Sequence, residues 1–299
     1  MEILSVRGLT KRFGEKEVLK GLDLSIPENS IFGFVGKNGA GKTTAMKAVL
    51  GLLPIDDGEI FVLGERVRFG ETKTNRYVGY LSDVPEFYPF LTAREYLSLC
   101  GECMNMPRGE IRKRSEELLS LVGLGKENHR IKGFSRGMKQ RLGVAEALLG
   151  KPRLLICDEP TSALDPIGRR EILDLLVSVR EQTTVLFSTH VLSDVEAICT
   201  DVAFLADGKI ALSGALRELK KTYGAETFTV EMNDERGCRF LCEAFPEAKR
   251  LDGTRLVFFG DEKRAYAVLD RVRESGHSLR GIVRSDASLE SLFMEVAGK

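Results

Sequence analysis

The chain opens with two stretches in which apolar and polar positions alternate, EILSVRGL and VLKGLDLSI, separated by the turn FGEKE. A period of two marks strands that turn one face to a core. IFGFV is a compact apolar strand that runs directly into GKNGAGKTT and a helical AMKAVLGLL. GEIFVLGERV and RYVGYLS read as further strands. From about 91 to 150 the spacing becomes helical, in TAREYLSLCGECM, RGEIRKRSEELLSLVGL and MKQRLGVAEALLG, with no convincing strand. Strand character returns at RLLICDEP, followed by helix GRREILDLLVSVRE, strand TTVLFSTH, helix LSDVEAIC, and strands VAFLAD and KIALSG. Strands and helices alternating on both sides of a helical block predict an α/β sheet with an N-terminal β-subdomain and an inserted helical subdomain, over residues 1–221. After about 222 a new unit is expected to run to 299. Its strands are TFTVEM, RLVFFG and LRGIVRS, and its helices RFLCEAF, KRAYAVLDRVRE and SLESLFMEVA. That is a small α+β domain without an obvious catalytic cluster.

Composition narrows the function. With 299 residues there is room for more than one folding unit, and 44 basic residues balance 44 acidic ones. Zero net charge argues against a protein whose main task is to coat nucleic acid. No apolar run approaches the ~20 residues that cross a bilayer, and MEILSVRGLTKRF lacks a signal core. The expectation is a soluble, cytosolic chain whose membrane role, if any, comes through a partner. Cys157 lies in an apolar run and Cys199 beside one, which suits reduced, buried thiols. Cys100 and Cys103 form a C-x-x-C that a redox pair or half a metal site would also show. No second pair or adjacent His completes four ligands, so they read as helical positions one turn apart.

GKNGAGKT matches G-x-x-x-x-G-K-[ST], with Gly36, Gly41, Lys42 and Thr43 at the fixed positions between an apolar strand and a helix. Gly36, Gly39 and Gly41 let the backbone fold around phosphate oxygens and point its N–H groups inward. Asn38, Ala40 and Thr44 share the same cradle. Lys42 supplies a positive charge for the β- and γ-phosphates, and the Thr43 hydroxyl faces Mg²⁺. Asp158 ends an apolar strand, at the sheet edge where open α/β sheets bind ligands, and an Asp there can hold the metal through water. Glu159 follows at once, free to orient or deprotonate an attacking water. His190 closes TTVLFSTH on the same rim, within reach of a γ-phosphate. FSRGM then raises a question, because Ser135 and Gly137 open a helix with basic residues behind them, a second anion cradle in one chain. Met138, Leu142, Ala145 and Leu149 fall on one face of that helix, which is expected to pack inward.

The order GKNGAGKTT, FSRGM, LLICDEP, SALD, STH resembles the ATP-binding subunit of an ATP-binding cassette (ABC) transporter, over about residues 2–220. The resemblance implies a P-loop NTPase sheet, ATP and Mg²⁺ as cofactors, and a pair of subunits packed head to tail. The signature of one subunit, Ser135 and Gly137 here, then caps the γ-phosphate held by the other. Phe13 in LTKRFG matches the aromatic that stacks on adenine, and Asp165 in SALD the residue that communicates across the pair. GYLSD puts Asp83 where the family usually has the Gln that touches Mg²⁺ or water. Arg136 and Met138 replace the usual Gly and Gln of the signature. SRGMKQR and the ending SLESLFMEV are similar to the drug, antibiotic and sodium exporters of the family. The implied machine is a homodimeric ATPase with Glu159, His190 and Lys42 as catalytic groups. It would power export through a separate transmembrane permease at the cytoplasmic face, with no nucleic-acid partner. A soluble ABC protein of ribosomes or DNA usually carries two cassettes or long coiled-coil inserts, and neither occurs here. A regulatory, non-hydrolysing cassette is opposed by intact Lys42, Asp158, Glu159 and His190.

Overall fold

The computed structural model describes residues 2–71, 73–223, 227–285 and 289. The chain divides into two compact units, Met1–Leu216 and Arg217–Lys299.

In the first unit, β1 (Glu2–Phe13) and β2 (Lys16–Pro27) form a long antiparallel hairpin. With β4 (Asp57–Val62) and β5 (Glu65–Arg66) they make a sheet in the order β2-β1-β4-β5. The alternation in the sequence is spent here. Leu4, Val6, Leu9, Leu19, Leu22 and Ile60 are buried, and the polar positions between them face out. A second sheet of six strands carries the site. It comprises β3 (Ile31–Val35), β6 (Val78–Leu81), β7 (Leu154–Cys157), β8 (Thr184–Thr189), β9 (Asp201–Ala206) and β10 (Lys209–Ala215), in the order β10-β9-β3-β8-β7-β6. All neighbours are parallel except β10 on β9. β3, β7 and β8 are buried along their whole length, as strands covered on both faces must be.

Helix α1 (Lys42–Val49) lies in the core shared by the two sheets, where Met46 and Val49 join Leu4, Leu19 and Ile60 with Phe34, Ile156 and Leu186. Fully burying a side chain of this size contributes about 1.5–3 kcal/mol, so α1 is held firmly although it is short. The inserted block contains α2 (Ala93–Cys103), α3 (Arg108–Leu121) and α4 (Arg136–Ala147). Thr92 and Glu95 close a capping box on α2, satisfying two N–H groups reciprocally. In α4 the expected inward face holds for Leu142 and Ala145, while Leu149 is buried beyond the helix end. Met138 is only half-buried, because it belongs to the first turn, which faces outward. Helices α5 (Pro166–Val179) and α6 (Leu192–Ile198) complete the α/β layers. The C-x-x-C lies at the end of α2 with both thiols free. The thiols of Cys157 and Cys199 are both pushed up by burial, although Cys199 as a whole residue is only half-buried.

Helix α7 (Leu216–Tyr223), absent from the sequence expectation, stands at the break between the units. The second unit runs β11 (Thr227–Met232), α8 (Glu235–Ala244), β12 (Lys249–Arg250), β13 (Arg255–Phe259), α9 (Glu262–Ser275) and β14 (Leu279–Ser285). The sheet order is β12-β13-β11-β14, all antiparallel, which with βαββαβ connectivity is a ferredoxin-like split unit. Phe228 stacks on Phe258 at 5.2 Å, over Cys238 and Leu241 of α8 and Val268 and Val272 of α9. The helix expected over SLESLFMEVA lies outside the described residues.

Candidate nucleotide site

Three neighbouring strands deliver their C-terminal ends to one edge. The chain leaves β3 at Gly36, whose N–H donates to the Thr189 carbonyl at the end of β8, 3.4 Å away. A Cβ on Gly36 would stand 2.8 Å from the Leu205 carbonyl, so the turn can be this tight only with glycine. Gly41 adopts φ +110° at the N-cap of α1, where a Cβ would meet Leu19 Cδ2 at 2.9 Å. These two positions open the loop, and Lys42 folds back inside it. The Lys42 Nζ donates to the Gly36 carbonyl at 2.6 Å and lies 3.4 Å from that of Lys37.

The same ammonium is 3.0 Å from Glu159 Oε1, off the direction of a good hydrogen bond, so the contact is an ion pair in kind. Glu159 Oε2 is 2.9 Å from His190 Nδ1. One carboxylate thus joins the lysine of the loop to the histidine after β8. Glu159 itself has φ +47°, a conformation that a non-glycine residue holds only under constraint. Ser188 supplies the constraint. Its hydroxyl accepts from the Glu159 N–H at 2.9 Å and donates to Asp158 Oδ1 at 2.6 Å. Asp158 is buried at 3% exposure, and its own N–H bonds the Leu81 carbonyl at the end of β6. Nearby, the Tyr80 hydroxyl is pushed up to about 12, first by burial and then by the charge of Asp158, Cys157 and Asp83.

These groups border a cavity of about 490 Å³ lined by Asn38, Gly39, Gly41, Lys42, Thr43 and Thr44 of the loop and helix start, together with Phe13 and Val18. Asp83, Glu159, Ser162 and His190 also face it. The form suits a nucleoside triphosphate, with N–H donors and an ammonium for phosphates and an exposed ring for a base. Asp83 Oδ1 is buried without a hydrogen-bond partner among the described residues. Asp158 and Ala40 are not among the residues of the lining. Ser135, Gly137 and Asp165 are not part of it. Ser135 is exposed and caps α4 by accepting from the Met138 N–H at 3.2 Å, and a side chain at Gly137 would meet only open space. Asp165 caps α5 through the Gly168 N–H.

A family model described as "ABC transporter" matches residues 19–162. The ABC transporter ATP-binding protein YxlF of Bacillus subtilis is 41% identical over 234 residues, covering 78% of each chain. The chain belongs to the ABC transporter ATP-binding family. Along almost its whole length it is similar to the bacitracin transport ATP-binding protein BcrA of Bacillus licheniformis, at 33% identity over 99% of this chain and 97% of that one. Among solved structures, cbiO1 of Clostridium perfringens, part of the ABC transporter complex cbiONQ, superposes with a TM-score of 0.68. It is 27% identical and covers 74% of this chain and 92% of that one. As a member of this family the chain is an ATP-binding, ATP-hydrolysing subunit of a transporter, and it meets the membrane through a permease partner. No helix among the described residues is long and apolar enough to cross a membrane.

Several residues of the ABC site escaped sequence reasoning. Ser188 stands inside STH, but a buried serine has no signal of its own. Asp194, 2% exposed, accepts from the Thr161 hydroxyl at 2.8 Å and from Arg169 Nε at 2.6 Å. It ties the segment after Glu159 to α5 and to the segment after His190. A buried carboxylate joined to two elements distant in sequence becomes visible only when the chain is folded.

Proposed function

We propose that two copies of this chain close head to tail around two ATP molecules and so drive export through their permease. In each closed site, Ser135 and Gly137 of one copy complete the cradle that Lys42 and the loop 36–43 begin in the other. The exposed Ser135 at the start of α4 and the free space at Gly137 support that role. Phe13 takes the adenine on its exposed face. Lys42 holds the β- and γ-phosphates, His190 contacts the γ-phosphate, and Glu159 aligns the attacking water and accepts its proton. Asp165 of each copy meets its twin across the junction.

Mg²⁺ fits the residues present. Asp158 and the orphaned Asp83 oxygen are hard anionic donors, and Thr43 adds a hydroxyl. No cluster of three His, Cys, Asp or Glu among the described residues would hold a metal unaided. Bound there, the ion would neutralise charge on the β- and γ-phosphates. ATP touches both copies, whereas ADP lacks the phosphate that bridges them, so hydrolysis removes the differential affinity that favours closure. Export, rather than import, is supported by likeness to BcrA and to the linearmycin resistance ATP-binding protein LnrL of Bacillus subtilis, 34% identical over 227 residues.

The observation that carries this reading is the Glu159 carboxylate, set between Lys42 and His190 on the cavity wall. Replacing a general base costs about 10²–10⁴-fold in rate. Glu159→Gln is therefore expected to bind ATP, turn over at least ~100-fold more slowly, and accumulate as an ATP-dependent dimer in size-exclusion chromatography with light scattering. Normal phosphate release by that variant would remove Glu159 from the chemistry. A slow variant that stays monomeric with ATP would remove the paired closure.

A further inference from the structure

Phe13 presents a mechanical problem. Its ring is 50% exposed, it lies at the last position of β1, and it has no hydroxyl through which a partner could fix it. A half-exposed phenyl at a strand end samples several rotamers, and a base platform that wanders binds weakly. Yet the structure holds a cation against it. Lys11, two residues earlier on the same side of the strand, is buried at 7% exposure with its ammonium 5.5 Å from the Phe13 ring centroid.

That ammonium is itself fixed. Its partner is Asp56 Oδ1 at 3.1 Å. Asp56 is stitched to β1 at two further points. Its N–H donates to the Thr10 carbonyl at 3.0 Å, and its Oδ2 accepts from the Arg12 N–H. The pairing of β4 with β1 ends at Thr10 and Asp57, so the carboxylate takes over where the ladder stops. The Arg12 N–H, with Lys11 beside it, also holds the Asp56 carboxyl below the usual carboxylate range.

Resting on the reading of Phe13 as the base platform, we propose that the Lys11–Asp56 pair is a positioning device for nucleotide binding. It orients the Phe13 ring from one face and leaves the other for adenine. The cation acts in two ways. It attracts the π-cloud and so narrows the ring's rotamers, and it draws electron density from the outer face, which then stacks better on an electron-rich purine. Asp56 acts on the ring through Lys11, and Lys11 acts on the nucleotide through Phe13.

The test uses the full chain, with Mg²⁺, titrated calorimetrically with ADP and separately with pyrophosphate, which lacks the base. Lys11→Met and Asp56→Asn are each expected to weaken ADP by about 2–5-fold, the range of one exposed cation–π contact. Pyrophosphate affinity should not move, Lys11→Arg should retain most ADP affinity, and Lys11→Met should add nothing in a Phe13→Ala background. Equal losses for ADP and pyrophosphate would make the pair a general support of the fold and overturn the proposal. So would unchanged ADP affinity in both Lys11→Met and Asp56→Asn while Phe13→Ala weakens it, which leaves the platform standing without its device. An inert Phe13→Ala would remove the platform itself.

Discussion

Ser188 has a small side chain that is one of the most heavily used around the site. It is wholly buried, donates to Asp158 Oδ1 at 2.6 Å and accepts from the Glu159 N–H at 2.9 Å. Ser188→Ala deletes one hydrogen bond to a buried carboxylate, worth about 1.5–3 kcal/mol, and one neutral bond of about 1 kcal/mol. The Asp158 charge and the Glu159 N–H would lose those partners, so the expected cost is about 2.5–4 kcal/mol. In a unit of this size each kcal/mol moves the melting point by about 2–4 °C, giving a fall of roughly 5–15 °C. The effect on catalysis follows separately. Glu159 holds its left-handed conformation against the preference of a side-chain-bearing residue, and the Ser188 hydroxyl is its backbone anchor. Release of that anchor lets the carboxylate leave its place between Lys42 and His190, and a displacement near 1 Å costs about 10²-fold. Scanning calorimetry and a phosphate-release assay at saturating ATP would measure the two effects. Melting within about 1 °C of the parent and turnover within twofold would refute the claim that Ser188 holds the two acids.

Two further substitutions probe other levels of the same structure. Gly41→Ala forces a left-handed residue and a Cβ against Leu19, so a loss of about 1–3 kcal/mol in chemical denaturation is expected, together with ATP affinity too weak to measure. A stable variant that still binds ATP would show the loop to be less constrained than its geometry implies. In the helical block, burial pushes the Glu146 carboxyl up, against hydrogen bonds from Tyr96 and Cys100 that pull it down. A carboxyl raised on folding contributes stability that is present below its unfolded value, near ~4.3, and lost as pH rises through its folded value. Glu146→Gln should therefore melt above the parent at pH 7, with the gap closing towards pH 4. A gap that stays constant, or favours the parent at pH 7, would contradict the burial argument.

Legibility in the sequence followed the range of the interactions. β3 was readable to the residue, because a strand buried on both faces and punctuated by glycine leaves an unbroken apolar run. The loop 36–43 was readable because positive φ and close backbone approach restrict residue choice at Gly36 and Gly41. Helix α7 was missed, since LRELKKTY follows a strand with no cap or proline to announce it. The tightening of the second unit into a ferredoxin-like sheet was out of reach too, because strand order is a long-range property. Asp56 had no signal of its own in the sequence. Its pairing with Lys11 spans 45 positions and leaves no local trace.

The order of motifs along the chain also conceals which strand is the hub. In sequence, the loop after β3 comes first, the acids after β7 second and the histidine after β8 last. In the sheet, β8 lies between β3 and β7. Its last residues therefore touch both neighbours, Thr189 accepting from the Gly36 N–H on one side and Ser188 holding Asp158 and Glu159 on the other. With β8 in that gap, the carboxyl ends of all three strands reach one cavity. The loop 36–43 and Glu159 are thus not joined directly by backbone. A shift at either can pass through the end of β8 as well as through the direct Lys42–Glu159 pair, and His190, the next residue, grips the same Glu159 carboxylate.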